Sequence, residues 1–304
     1  YMGAYYSIKG FRKLKPDAAW APSFLFQNAM WPHFGKLSDY VTAVCATQSP
    51  GTHAARVALL YPATTASATY RFGHDRWAAE DSAYALEWQG LLSTYLGMHR
   101  ALLETQVDYE CLFEETFLGA DLRDGRILIR DLAFSTVILP ACTTLGAGVL
   151  EQLERVVDAG GRVVFVNAIP RHADDGTDLA ARIERNWGLD AAHIDERAAD
   201  ILAATDGRTR VVEGSNPRVV ALLTNRLAPD NRAELHAPLR HVLQDDVELR
   251  FAPACPDLWV QTRRDDGAYQ VGIANTGAAP YRGSVELPGA GSAWIMRPDI
   301  DAWE

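Results

Sequence analysis

The chain has 304 residues, with 29 Lys and Arg against 39 Asp and Glu and a formal net charge of −10. Apolar residues make up 48% and charged residues 22%, ample material for buried cores, which excludes wholesale disorder. The acidic balance carries no basic stripe for a nucleic-acid backbone, and no apolar run approaches the roughly 20 residues of a membrane span.

At this length two domains are expected, with room for a small third piece. Residues 1–50 are aromatic and punctuated by Pro16, Pro22 and Pro32, which break any long helix before about residue 34. The opening YMGAYYSIKGF lacks the pattern of a signal peptide, and both ends read as cuts through a longer protein. HFGKLSDYVTAVCA then offers a short amphipathic helix. So many rings in 50 residues ask for a partner surface.

From residue 55 the pattern becomes α/β. ARVALLYP (55–62), STVILP (135–140) and RVVFVN (162–167) are continuous apolar runs, the mark of strands buried on both faces, and VDYEC (107–111) and RILI (126–129) are further strand candidates. Residues 83–104 place Tyr84, Trp88, Leu91, Leu92, Tyr95, His99, Leu102 and Leu103 at helical spacing. Helices are also expected at about 146–158, stopped by Gly160-Gly161, and at 178–187. The alternation implies an open parallel sheet flanked by helices. After 215, PRVVALLTN (217–225) and 231–244 read as two polar-faced helices. From 246, short alternating runs separated by DDG, NTG and PGAG predict a C-terminal antiparallel β segment.

Chemistry is sparse. No P-loop, dinucleotide fingerprint or GxSxG elbow is present. Gly146-Ala147-Gly148 reads as a loose turn with Thr143 or Thr144 capping the next helix. The four cysteines are too dispersed for a zinc site and read as buried free thiols, which leaves the compartment open; Cys142, just past a parallel strand, is the one to weigh as a nucleophile. His172, Asp174, Asp175 and Asp178 fit no metal motif and read as a solvated loop leading to a helix cap. The adjacent acids Glu80-Asp81, Glu114-Glu115, Asp174-Asp175, Asp245-Asp246 and Asp265-Asp266 mark surfaces or turns, because consecutive side chains diverge. The exception is the first 50 residues. There Tyr5, Tyr6, Lys9, Gln27, Asn28, Trp31 and His33 mix flat rings with hydrogen-bonding groups, the composition that holds carbohydrate; an interdomain packing seam is the alternative.

PSFLFQNAMWPHFGKLSDYVTAVCATQSPGTHAARVALLYP resembles the end of the catalytic barrel in large α-L-rhamnosidase-type glycoside hydrolases, and YYSIKGFRK resembles the last barrel strand before it. VDYECLFEETF, FSTVILPACTTL with LEQLERVVDAGGRVVFVNAIP, LWVQTRRDDGAYQVGIANT and AWIMRPD are similar to successive stretches of the same family, so the resemblance spans nearly the whole chain. The chain departs from it at Ala43, where the family carries Arg, and at Thr262, where it carries His.

The resemblance implies a barrel tail at 1–50, a glutamine amidotransferase/flavodoxin-like α/β domain at 51–245 and a partial β-sandwich at 246–304. It further implies a parent glycosidase acting on plant or bacterial polysaccharide through two carboxylates in a missing N-terminal catalytic barrel, which also admits a calcium ion. This segment would then be mainly scaffold, with no cofactor or catalytic residue of its own. Its sugar contacts would be Trp31 first, with Tyr6, Lys9, Gln27 and Asn28 behind it. True glutaminases carry a cysteine after the strand that here reads FVNAIP (165–170), where Asn167 and Ala168 stand instead. The competing expectation is a non-catalytic carbohydrate-binding or homo-oligomerisation module without nucleic-acid or membrane partners.

Overall fold

A computed structural model of the protein describes residues 31–70, 83–204, 206–227, 232–247 and 249–287, together with 296–297 and 302–303. Two compact units divide the chain, one of residues 1–50 with 291–304 and one of 51–290. The described part of the first is a short 3-10 turn at Trp31–His33, the helix α1 (Phe34–Gln48) and the two-residue strands Met296–Arg297 and Ala302–Trp303, which pair antiparallel.

The second unit is built on a six-stranded sheet. Its strands are β1 (Val57–Leu60), β2 (Tyr109–Leu112), β3 (Thr136–Pro140), β4 (Arg162–Val166), β5 (Thr209–Glu213) and β6 (Val219–Thr224). Their order across the sheet is β5-β6-β4-β3-β1-β2. The first four and β6 run parallel, and β5 is antiparallel to β6 at one edge, so the sheet is mixed where a wholly parallel one was expected. The helices are α2 (Ala63–Thr69), α3 (Ala83–Glu104), α4 (Glu114–Leu118), α5 (Val149–Asp158), α6 (Ala180–Trp187), α7 (Ala191–Ala203) and α8 (Ala233–Val242).

The uniformly apolar strands follow from burial on both faces. Side chains alternate between two cores, as a two-residue period requires. Ala58, Leu60, Val137, Leu139, Val163 and Phe165 pack with Leu153 and Val156 of α5, Trp187 of α6 and Ile194 of α7. Val57, Leu59, Ile138, Val164 and Val166 pack on the other side with Met98 and Leu102 of α3 and Leu235 and Leu239 of α8.

Residues 217–225, expected as a helix, instead contain β6, buried along its whole length between β4 and β5. Val219-Val220 opens an apolar run of strand length with no polar residue before Thr224, so no exposed helix face could form. The helix expected from about 146 begins at Val149. Gly148, with φ +82°, stands at its N-cap, and neither Thr143 nor Thr144 caps it. Val149 is where the helical run of buried residues starts, and both threonines serve the preceding loop.

After α8 come β7 (Arg250–Ala252), β8 (Leu258–Asp265), β9 (Ala268–Asn275) and β10 (Ser284–Glu286). β8 and β9 form a hairpin in continuous register from Leu258↔Asn275 to Asp265↔Ala268, turned by Asp266-Gly267, both at positive φ. That is the two-residue turn whose twist suits a hairpin. β7 pairs with β10, and Thr52–His53 adds to β8. Leu249, Phe251, Leu258 and Val260 make a small third core beneath them.

Candidate functional site

In an open α/β sheet the loops at the carboxyl ends of the parallel strands enclose the natural crevice, centred where the strand order reverses. Here the reversal lies between β1 and β3. A cleft of about 710 Å³ opens at these ends. Its floor is Thr65 and Thr69 beyond β1, Ala141 and Thr143 beyond β3, Asn167 and Ala168 beyond β4, and Thr224 and Asn225 at the end of β6. Gly90 to Gly97 of α3, Leu202 of α7, Leu227 and Arg232 complete the walls.

Two floor residues adopt left-handed backbone without being glycine, Ala141 at φ +50° and Asn167 at φ +61°. Asn tolerates this region better than other side chains, and such outliers persist only where the surroundings fix them. Asn167 is fixed by β6, since its Nδ2 donates to Thr224 O at 3.1 Å and its Oδ1 accepts from Thr224 N at 2.8 Å. The turn therefore has the sharpness of a nucleophile elbow, while its side chain staples two strands. Thr65 plays the same part on the other side. Its hydroxyl donates to Thr144 O at 2.6 Å and accepts from the amides of Thr143 and Thr144 at 3.1 and 3.0 Å.

Among the described residues no acid, imidazole or thiol lines the cleft, and the one charged lining group is Arg232. That guanidinium is consumed by Glu104, at 3.0 Å from Nε and 3.2 Å from a terminal nitrogen, and by Leu227 O at 3.0 Å. Glu104 also receives Arg100 at 2.8 Å and lies 3.1 Å from His236 Nε2. Its burial raises the pKa, but the bonds from Arg232, Arg100 and His236 more than offset this and hold the carboxyl below its ordinary value. The described lining residues can bind and offer no group to move a proton.

Trp31 is 48% exposed, with its ring centroid 5.7 Å from that of Phe34. Tyr6, Lys9, Gln27 and Asn28 lie outside the described residues. Cys142 is fully buried, and burial pushes its thiol pKa up, which suppresses the thiolate a nucleophile needs. The cysteines are free, as expected, but Cys45 and Cys111 are exposed rather than buried. Glu80-Asp81 lies outside the described residues, and the other acidic pairs are dispersed. Glu114 is buried and accepts from Gly146 N at 2.6 Å and Thr64 Oγ1 at 2.8 Å, while Glu115 faces solvent. Asp174 holds Ala147 N at 2.8 Å, Asp175 holds Thr177 N and Asp178 holds Ala180 N, each at 2.9 Å.

Sequence reading missed a second charged cluster. His53 Nδ1 lies 2.6 Å from Glu110 Oε1, and Nε2 lies 2.9 Å from Asp108 Oδ2. Burial alone would lower the histidine pKa, yet the two carboxylates raise it to about 9. The three residues sit where Thr52–His53 and β8 meet edge strand β2, and Asp108 also accepts from Thr262 N at 2.6 Å. Their sequence distance, 53 against 108 and 110, hides them from any motif. Among the described residues no three metal-ligating side chains gather as a metal site, and no helix is long and apolar enough to cross a membrane.

No family model and no curated protein matches the sequence. Solved structures do. The β-galactosidase from Bacillus circulans sp. alkalophilus is similar over 82% of this chain, with a TM-score of 0.51 and 12% identity. A GH42 β-galactosidase from G. stearothermophilus follows at 0.48 and 14% over 83% of this chain, and α-L-fucosidase isoenzyme 2 from Paenibacillus thiaminolyticus at 0.42 and 13% over 74%. This chain spans 39% of the first structure and 38% of each of the other two. At such identity the first likeness is one of fold: the chain is folded like part of a glycoside hydrolase.

Proposed function

We propose that the chain is the C-terminal part of a glycoside hydrolase of the α-L-rhamnosidase type, cleaving plant or bacterial polysaccharide. In this reading residues 1–50 are the tail of the catalytic barrel, 51–245 an amidotransferase-like scaffold and 246–304 the start of a β-sandwich. The acid and base carboxylates belong to the barrel outside this chain, and Trp31, with Tyr6, Lys9, Gln27 and Asn28, contacts sugar. The observation that carries the scaffold role is the strand-end elbow, where Asn167 ties β4 to β6 and, among the described residues lining the cleft, no nucleophile, acid or base accompanies it. The fold likeness to part of a β-galactosidase and the ordered sequence resemblance support the glycosidase assignment.

The test is calorimetric titration of the 304-residue protein with rhamno-oligosaccharides, alongside assays on nitrophenyl α-L-rhamnoside and β-D-galactoside. Binding weakened at least tenfold by Trp31→Ala, without turnover of either substrate, is expected. Equal heats from both proteins would remove Trp31 from the sugar site, and turnover by this chain would overturn the scaffold role. A non-catalytic assembly or carbohydrate-binding module is the second reading. Exposed Leu92 and Leu96 on α3 and Phe113 after edge strand β2 favour it, and sedimentation at rising concentration reads it out.

A further inference from the structure

We propose that the strand-end cleft of the α/β unit is itself a binding site for an uncharged saccharide. The inference goes beyond the sugar contacts assigned to residues 1–50 and does not depend on them. At about 710 Å³ the cleft has the size of a small-molecule pocket and the position that open α/β sheets reserve for ligands.

Its chemistry selects the ligand class. The only charged lining group among the described residues, Arg232, is balanced by Glu104 and bonded also to Leu227 O, so the described wall holds no uncompensated charge to attract an anion or a cation. An ion entering would lose its water without receiving a partner. The remaining polar wall is hydroxyl and amide. Thr65, Asn167 and Thr224 are committed to the backbone: Thr224 Oγ1 accepts from Arg226 N at 3.0 Å and shares a 2.9 Å bond with Thr209 Oγ1. What is left over are the hydroxyls of Thr94 and Thr143, which have no hydrogen-bond partner among the described residues, and Asn225 Oδ1, buried and unpartnered while its Nδ2 donates to Ala204 O at 2.7 Å. Of these, Asn225 Oδ1 is a buried polar atom without a partner, which is uncommon, and a ligand bearing hydroxyls would meet it together with the two threonine hydroxyls.

The apolar part of the wall is Leu91, Leu96, Leu202 and Leu227, with Leu96 and Leu202 more than half exposed at the lip. A pyranoside offers both faces at once, C–H groups toward the leucines and hydroxyls toward Thr94 and Thr143. No carboxylate, imidazole or thiol of the described residues lines the cleft, which suits retention of a sugar rather than its cleavage.

The experiment is titration of the 304-residue protein, followed by ¹H–¹⁵N spectra, with methyl α-L-rhamnoside, methyl β-D-galactoside and galacturonate. The variants are Gly90→Phe, Thr94→Val with Thr143→Val, and Trp31→Ala. A side chain at Gly90 meets nothing among the described residues within 4 Å of its Cβ, so Gly90→Phe places bulk at the cleft wall without clashing with them. The threonine pair keeps its shape and loses only hydroxyls.

Saturable binding of at least one neutral glycoside is expected. It should weaken at least tenfold in Gly90→Phe and in the valine pair, persist in Trp31→Ala, and exceed galacturonate binding at least tenfold. No saturable shift with either neutral glycoside would overturn the proposal. So would binding indifferent to both cleft variants, binding lost only with Trp31, or galacturonate bound as tightly as the neutral sugars.

Discussion

The two ends of the same sheet are built to opposite specifications. At the amino ends of the strands, polar groups are matched and space is closed. Asp246 accepts from Ser135 and Thr136, at 2.6 and 2.8 Å, where β3 begins. Gln106 Nε2 lies within 3.0 Å of three carbonyls, of Glu104, Cys255 and Leu258, among which its two N–H are shared, while Arg240 donates to its Oε1. His53 is clasped by Asp108 and Glu110. The cavity among these groups is about 10 Å³, the room of one water. At the carboxyl ends the volume is some seventy times larger, and the one charged lining group among the described residues, Arg232, is balanced by Glu104. The amino end fixes the β8–β9 hairpin to the sheet, and the carboxyl end is left open to a ligand.

This contrast can be broken first at its closed end. Gln106→Ala leaves three carbonyls and one arginine without their partner at a buried position, and should cost roughly 3 kcal/mol in denaturant unfolding. A loss below about 1 kcal/mol would mean that the hairpin is held by other contacts. Asn167→Ala comes next. It removes both bonds to Thr224 and puts Ala in a left-handed conformation, for about 2–3 kcal/mol, whereas Asn167→Gly loses the bonds without that strain and should cost about 1 kcal/mol less.

The histidine clasp sharpens the comparison through pH. His53 is raised from 6.5 to about 9, so its contribution is complete below pH 6.5 and is lost as pH climbs through 9. Relative to His53→Gln, the protein should lose about 1–2 kcal/mol across that window, discounted for the solvent that reaches Glu110. Parallel stability curves for the two proteins between pH 6.5 and 9 would show that the clasp carries no such linkage. The smallest expected effect lies on the cleft wall. Gly90→Ala should gain about 0.5–1 kcal/mol, because an exposed helical glycine is replaced where nothing obstructs a Cβ. Any loss there would mean that the wall is more tightly filled than the structure shows.

How much of this could be read from the residues depends on distance along the chain. β1, β3 and β4 announce themselves because strands covered on both faces leave no room for polar residues. β6 has the same character, yet its apolar run follows a polar stretch, and its neighbours in the sheet are 162–166 and 209–213, pairings that no local pattern encodes. The hairpin turn at Asp266-Gly267 is local chemistry and was legible. The elbow was half legible: an Asn directly after an apolar strand hints at left-handed backbone, but only the fold shows its side chain spent on Thr224. The cleft was not legible at all. Thr94, Thr143 and Asn225 come from three separate loops and helices, and what marks them is a missing hydrogen bond rather than a residue type.

The most direct measurement is a crystal of the 304-residue protein soaked with methyl α-L-rhamnoside and methyl β-D-galactoside. Sugar density against Leu91, with hydroxyls in reach of Thr94 and Thr143 and none in the amino-end cavity, is the predicted result. Density confined to other surfaces, or an occupied cavity beside Asp246 with the strand-end cleft dry, would contradict the division of labour between the two ends.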